Sequence, residues 1–134
     1  MNITATIKNS HQSNEVIVST NEYKKTIPIP AKEQGGGSAV NGGELLFLAL
    51  ATCFCNDIYR EAAQRQITIQ SVEVQVSGQF GKEGEPASGI QYEVKIQSSA
   101  SSKEIEDLIK YVDSIAEIHN TLRKGVTVSL KPKD

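Results

Sequence analysis

Ile3, Ala5 and Ile7 alternate with polar neighbours at the start of the chain, and Val16 and Val18 repeat the pattern after "HQSN". A two-residue period of this kind predicts strands with one face turned inward. A third extended stretch, "YKKTIPIP", carries Pro28 and Pro30. Proline offers no N–H to a ladder, which puts that stretch at a sheet edge or outside the sheet. Residues 33–43, "EQGGGSAVNGG", hold five glycines and read as a mobile or tightly turned loop.

The period then changes. From Glu44 to about Arg65 the pattern is helical, and Leu45 to Ala51 offers no polar face at all. Polar residues return only from Asn56. A helix that is apolar all round is a buried one, wrapped by a sheet or by a partner subunit. Two alternating strands follow, Val72/Val74/Val76 and Tyr92/Val94/Ile96, joined by the long loop "GQFGKEGEPASG". Ser101 and Glu104 then form a capping box ahead of a stripe made by Ile105, Leu108, Ile109, Val112 and Ile115. A short helical piece over 118–123 ends at Gly125, and Val126, Val128 and Leu130 predict a last strand. The order of elements indicates α+β rather than alternating parallel units.

Composition narrows the function classes. A chain of 134 residues reads as a single domain, 1–134, with enough length for a real core. The net charge of -2 comes without a basic stripe, so nucleic acid is not an expected partner. The longest apolar run is too short to span a bilayer, so no membrane partner is expected either. "MNITATIKNS" lacks the layout of a secretory signal, and a cytoplasmic location is the expectation. There the two cysteines should stay reduced unless they do redox work.

Those cysteines, Cys53 and Cys55, sit two residues apart in the long helix. At 100° per residue their side chains point roughly 200° apart, so they cannot pair without melting the helix. A metal site is not expected: His11 and His119 are the only histidines, and no ligand spacing is present. Two readings remain. The thiols are core filler, or one of them is reactive because folding brings a cation or a donor to it. The glycine loop lacks the ending of a phosphate loop. His119 reads as a surface or capping residue, and Lys24-Lys25 as a solvated face.

Three stretches resemble the OsmC/Ohr family, the osmotically inducible and organic-hydroperoxide-resistance proteins. They are "NGGELLFLALATCF", "SVEVQV" and "IHNTLRKGVTVSL". Their order and spacing match more specifically than any one of them alone. The resemblance implies an OsmC-like α+β fold, with antiparallel sheets around a long buried central helix in an intertwined homodimer. It also implies a thiol peroxidase with Cys53 as the peroxidatic residue. Glu44, with a Lys from the other subunit, would orient thiolate or substrate, and no cofactor is called for.

The sequence departs from that pattern in three places. Ala116 stands where the resolving cysteine is expected, and Gly43 stands at the usual glutamate position with Glu44 one step later. Residues 1–59 contain no arginine. The expected function is therefore one-cysteine reduction of organic hydroperoxides through Cys53, with an external thiol as reductant. The alternative is a non-catalytic dimeric binding protein for a small hydrophobic ligand.

Overall fold

The structure is a computed structural model and describes residues 1–133. The chain divides into two compact units, one ending at Leu45 and the other beginning at Leu46.

The first unit is an antiparallel meander of β1 (Ile3–Ser10), β2 (Ser13–Thr20) and β3 (Tyr23–Thr26). Ile3 pairs with Thr20 and Val18 with Lys25. Both hairpins turn in two residues, and Gln12 and Asn21 take the positive φ these tight turns need. β3 ends at Thr26, just ahead of Pro28 and Pro30, as the missing N–H groups require. The glycine loop is tightly turned. Asn9 accepts from the Gly37 amide at 2.8 Å and Asn14 donates to Ser38 Oγ at 2.7 Å, so two strand asparagines hold the loop against the sheet. At the loop's end Asn41 and Glu44 exchange hydrogen bonds: the Glu44 amide donates to Asn41 Oδ1 at 2.8 Å, and the Asn41 amide to Glu44 Oε1 at 3.0 Å. This is a reciprocal cap that starts helix α1 (Gly42–Gln64).

The second unit holds the core. β4 (Ile69–Gln79) and β5 (Ser88–Ser98) form an antiparallel pair with Val72 opposite Ile96 and Val74 opposite Val94. Their alternation turns one face toward α1 and α2 (Ser102–Ile115), where Phe54, Ile58, Ala62, Leu108, Val112 and Ala116 are buried together. The expected capping box is present: the Glu104 amide donates to Ser101 Oγ, and the Ser101 amide to Glu104 Oε2. α3 (Glu117–Lys124) ends on Gly125 in the left-handed conformation, which glycine adopts without strain.

The predicted last strand is not formed. Residues 126–133 take no regular structure, and Val128 and Leu130 are 96% and 97% exposed. An alternating segment becomes a strand only where another strand's edge accepts its hydrogen bonds, and none does so here. Within one chain α1 buries the side bearing Leu50, Phe54 and Ile58, while Leu48 remains 60% exposed.

Candidate functional site

Cys53 and Cys55 leave α1 in different directions, as their spacing demands. Cys55 lies beside Ala51, Thr52, Asn56 and Val74, next to the sheet. Cys53 faces α3 instead, and both are free thiols, partly buried. Cys53 Sγ donates to Asp57 Oδ2, 3.8 Å away and one helical turn on. Asp57 is almost fully buried and is held by Arg60, whose Nη1 lies 2.8 Å from Asp57 Oδ1. The same guanidinium reaches Glu61 through Nε at 3.1 Å.

The start of α3 completes the surroundings of the sulfur. Its N-cap is Ala116, which has no side-chain oxygen to satisfy the first-turn amides. The Ile118 amide lies near Cys53 Sγ and favours its charged form. Glu117 brings a second carboxylate. Burial pushes the Cys53 thiol above its usual range, and Asp57 and Glu117 push it further; the Ile118 amide pulls the other way. In the isolated chain the sulfur is therefore a protonated thiol with a base within reach.

Cys53 Sγ and one oxygen each from Asp57 and Glu117 converge within 4.8 Å, the only such triple of donors among the described residues. A closed tetrahedral metal site asks for a fourth donor, and Asp57 already holds Arg60. The group is better suited to moving a proton than to holding an ion.

A second polar cluster lies on the other part of α3. Tyr92 donates its hydroxyl to Asp113, and Arg123 Nη2 lies 2.6 Å from the same carboxylate oxygen. Arg123 Nη1 also donates to the Asp113 carbonyl at 2.9 Å and to Asn120 Oδ1 at 3.0 Å. The Tyr92 hydrogen bond and Arg123 together hold Asp113 below the usual carboxylate range, while burial and Asp113 hold Tyr92 above the usual phenol range. His119 is not the surface residue its position suggested. It is 5% exposed, its ring stands edge-on to Tyr92 at 4.7 Å, and neither ring nitrogen has a hydrogen-bond partner. Burial, and then Arg123, lower its pKa, so the imidazole is neutral.

Of the two residues singled out from sequence, Cys53 lies in this chemical cluster, and the Glu44 carboxylate is engaged with Asn41 at the start of α1. Asp57, Arg60 and Glu117 escaped sequence reading, and His119 was read there as a surface or capping residue. Asp57 alone left a trace, since a residue four positions after a cysteine shares its helix face.

Residues 35–131 match the family model described as OsmC-like protein. The fold is that of an OsmC-like protein from Mycoplasma pneumoniae, 23% identical with a TM-score of 0.60 over 92% of this chain and 87% of that one. It is equally that of the organic hydroperoxide resistance protein OhrB of Bacillus subtilis, 19% identical with a TM-score of 0.54 over 97% of this chain and 98% of that one. An OsmC-like protein of unknown function from Vibrio cholerae, 14% identical, superimposes with a TM-score of 0.63 over 90% of this chain and 93% of that one. No curated protein sequence matches.

Proposed function

Because the chain belongs to the OsmC family, we propose that it reduces organic hydroperoxides by a one-cysteine route through Cys53. The observation that carries this reading is the position of Cys53 Sγ, with a hydrogen-bond acceptor in Asp57 and the Ile118 amide opposite. The hydroperoxide as substrate is suggested by the organic hydroperoxide resistance protein of Bacillus subtilis.

The sulfur of Cys53 gives an electron pair to the terminal oxygen of ROOH, the O–O bond breaks, and the alkoxide leaves. As the S–O bond forms, the S–H proton becomes strongly acidic; Asp57 takes it and returns it to the alkoxide. The products are Cys53 sulfenic acid and ROH. With Ala116 at the resolving position, an external thiol condenses with the sulfenic acid, releasing water. A second thiol then frees Cys53 as a disulfide of the reductant forms.

The reading includes a homodimer acting among the thiols of the cytoplasm. The open Leu48 side of α1 and the unpaired Val126–Leu130 segment are apolar surfaces that a second copy would cover. Glu44, with a lysine of the partner subunit, orients substrate or thiolate, a task that falls to charge because residues 1–59 supply no arginine. No helix among the described residues is long and apolar enough to cross a membrane.

The rival, a binding protein without catalysis, is favoured by one observation: the carboxylates around Cys53 oppose its ionisation. One experiment separates the two. Reduced protein receives one equivalent of cumene hydroperoxide, and sulfenic acid is trapped with dimedone and located by mass spectrometry. Adduct at Cys53 and not at Cys55 supports the peroxidase; no adduct at either on folded protein supports the binding protein.

A further inference from the structure

Leu50, Ile90, Tyr92, His119, Leu122 and Arg123 line an open-mouthed pocket of about 240 Å³. Neither Cys53, Asp57 nor Glu117 is among its walls. Leu50 and His119 are almost fully buried and form its floor, whereas Ile90, Leu122 and Arg123 are partly exposed and form its mouth. A cavity of about 150 Å³ lined by aliphatic and aromatic side chains accepts a benzene ring. This one has room for a ring with a small substituent.

Its polar groups are few and one-sided. Arg123 spends both Nη1 protons and one Nη2 proton on Asp113 and Asn120. Among the described residues its Nε–H and second Nη2–H donate to no carboxylate or carbonyl, and the Tyr92 hydroxyl is the further group within reach of the guanidinium. These two are the side-on fork of a guanidinium, whose spacing matches the two oxygens of a carboxylate. Tyr92 already donates its hydroxyl hydrogen bond to Asp113. The floor holds the neutral His119 ring, buried with both nitrogens unpartnered, a state that costs free energy until a partner arrives.

We propose that this cavity is a binding site for a compact apolar monocarboxylic acid, its carboxylate on the Arg123 fork at the mouth and its apolar body against Leu50, Ile90, Leu122 and the His119 ring. The site is independent of Cys53 and requires no peroxide chemistry. Asp113 on the far side of the guanidinium orients the fork and, by offsetting part of its charge, keeps the affinity modest. An acid of this kind is selected by the coincidence of charge and ring. Acetate lacks the body, and benzyl alcohol lacks the charge.

The test is a titration of the full chain with benzoate, benzyl alcohol and acetate, followed by calorimetry and by the ring proton resonances of the two histidines, His11 and His119. Benzoate should bind about tenfold more tightly than either comparison ligand, the scale of one charge-assisted contact at a half-exposed arginine. It should shift His119 and leave His11 in place. Arg123→Gln should bring benzoate down to the level of benzyl alcohol. Leu122→Trp, which fills the mouth and spares the ion pair, should weaken both aromatic ligands. Benzoate binding no tighter than benzyl alcohol, an unmoved His119 resonance, or unchanged affinity in Leu122→Trp overturns the assignment.

Discussion

Cys53 Sγ and Asp57 Oδ2 lie 3.8 Å apart on successive turns of α1, and Arg60 holds the other Asp57 oxygen at 2.8 Å. In the proposed mechanism a nucleophile, a base and a group that orients the base thus follow one another along a single helix. The carboxylate has two opposite effects on the sulfur. Its charge opposes formation of a thiolate beforehand, and in the proposed mechanism its oxygen accepts the proton during attack.

Asp57→Asn separates those effects. Removing the charge lowers the Cys53 pKa, so alkylation by iodoacetamide at pH 7 should become several-fold faster. Removing the base should slow sulfenic acid formation by cumene hydroperoxide, by on the order of 10² if general-base catalysis has its usual size. A purely electrostatic role would accelerate both reactions. Stopped-flow and alkylation rates on the same preparation decide the matter, with a thermal melt confirming that the variant is folded.

His119 makes stability depend on pH. Its folded pKa is depressed, first by burial and then by Arg123, with Asp113 and Asp57 opposing, and Tyr92 and Phe54 packed on the ring. A depressed folded pKa means the unfolded chain binds the proton more readily. The contribution of His119 is therefore complete above the unfolded value, near 6.5, and is lost as pH falls from there toward the folded value. The unfolding free energy from urea titrations should decline between pH 7 and pH 5, by at most about 1.4 kcal/mol per pH unit from this group. In His119→Gln that decline should flatten; an unchanged slope assigns it to other groups.

Gly78 in β4 fixes how α1 meets the hairpin. A Cβ built there would stand 2.8 Å from Phe47 Cζ and 3.2 Å from Ile90 Cγ1, so the Phe47 ring must move to admit even alanine. That ring also packs on Phe80, with centroids 5.9 Å apart, and a shift disturbs both contacts. Gly78→Ala should destabilise the protein by about 1–3 kcal/mol in urea unfolding, the usual cost of overpacking. A cost below a few tenths would mean that the ring swings away freely.

What could be read in advance follows a physical division. Local rules reached the Ser101–Glu104 capping box, the Gly125 stop and the opposed directions of Cys53 and Cys55, because each depends on neighbours within a turn or two. The alternation of β4 and β5 likewise announced their inward faces. The Cys53 surroundings were out of reach, since Glu117 and Ile118 arrive from α3, more than sixty positions along the sequence. His119 was misjudged for the same reason: only tertiary packing against Phe54 and Tyr92 buries it. Val126, Val128 and Leu130 carry a true strand pattern, but pattern specifies a face and not a partner.

That missing partner supports the last prediction. Leu48 on α1 is 60% exposed, and Val128 and Leu130 are almost fully so, an arrangement folded chains rarely leave uncovered. If a second copy covers them, Leu48→Lys places an ammonium in an apolar interface without touching the buried Leu50–Phe54–Ile58 side. The wild-type protein should then elute as a dimer in light-scattering chromatography, and the variant should dissociate at micromolar concentration while keeping its circular dichroism. Deleting residues 126–134 should weaken the dimer independently, because it removes a segment that pairs across copies in the proposed assembly. A wild-type monomer, or a variant dimer as tight as the parent, would assign these side chains to some other surface and leave Glu44 without a partner subunit to work with.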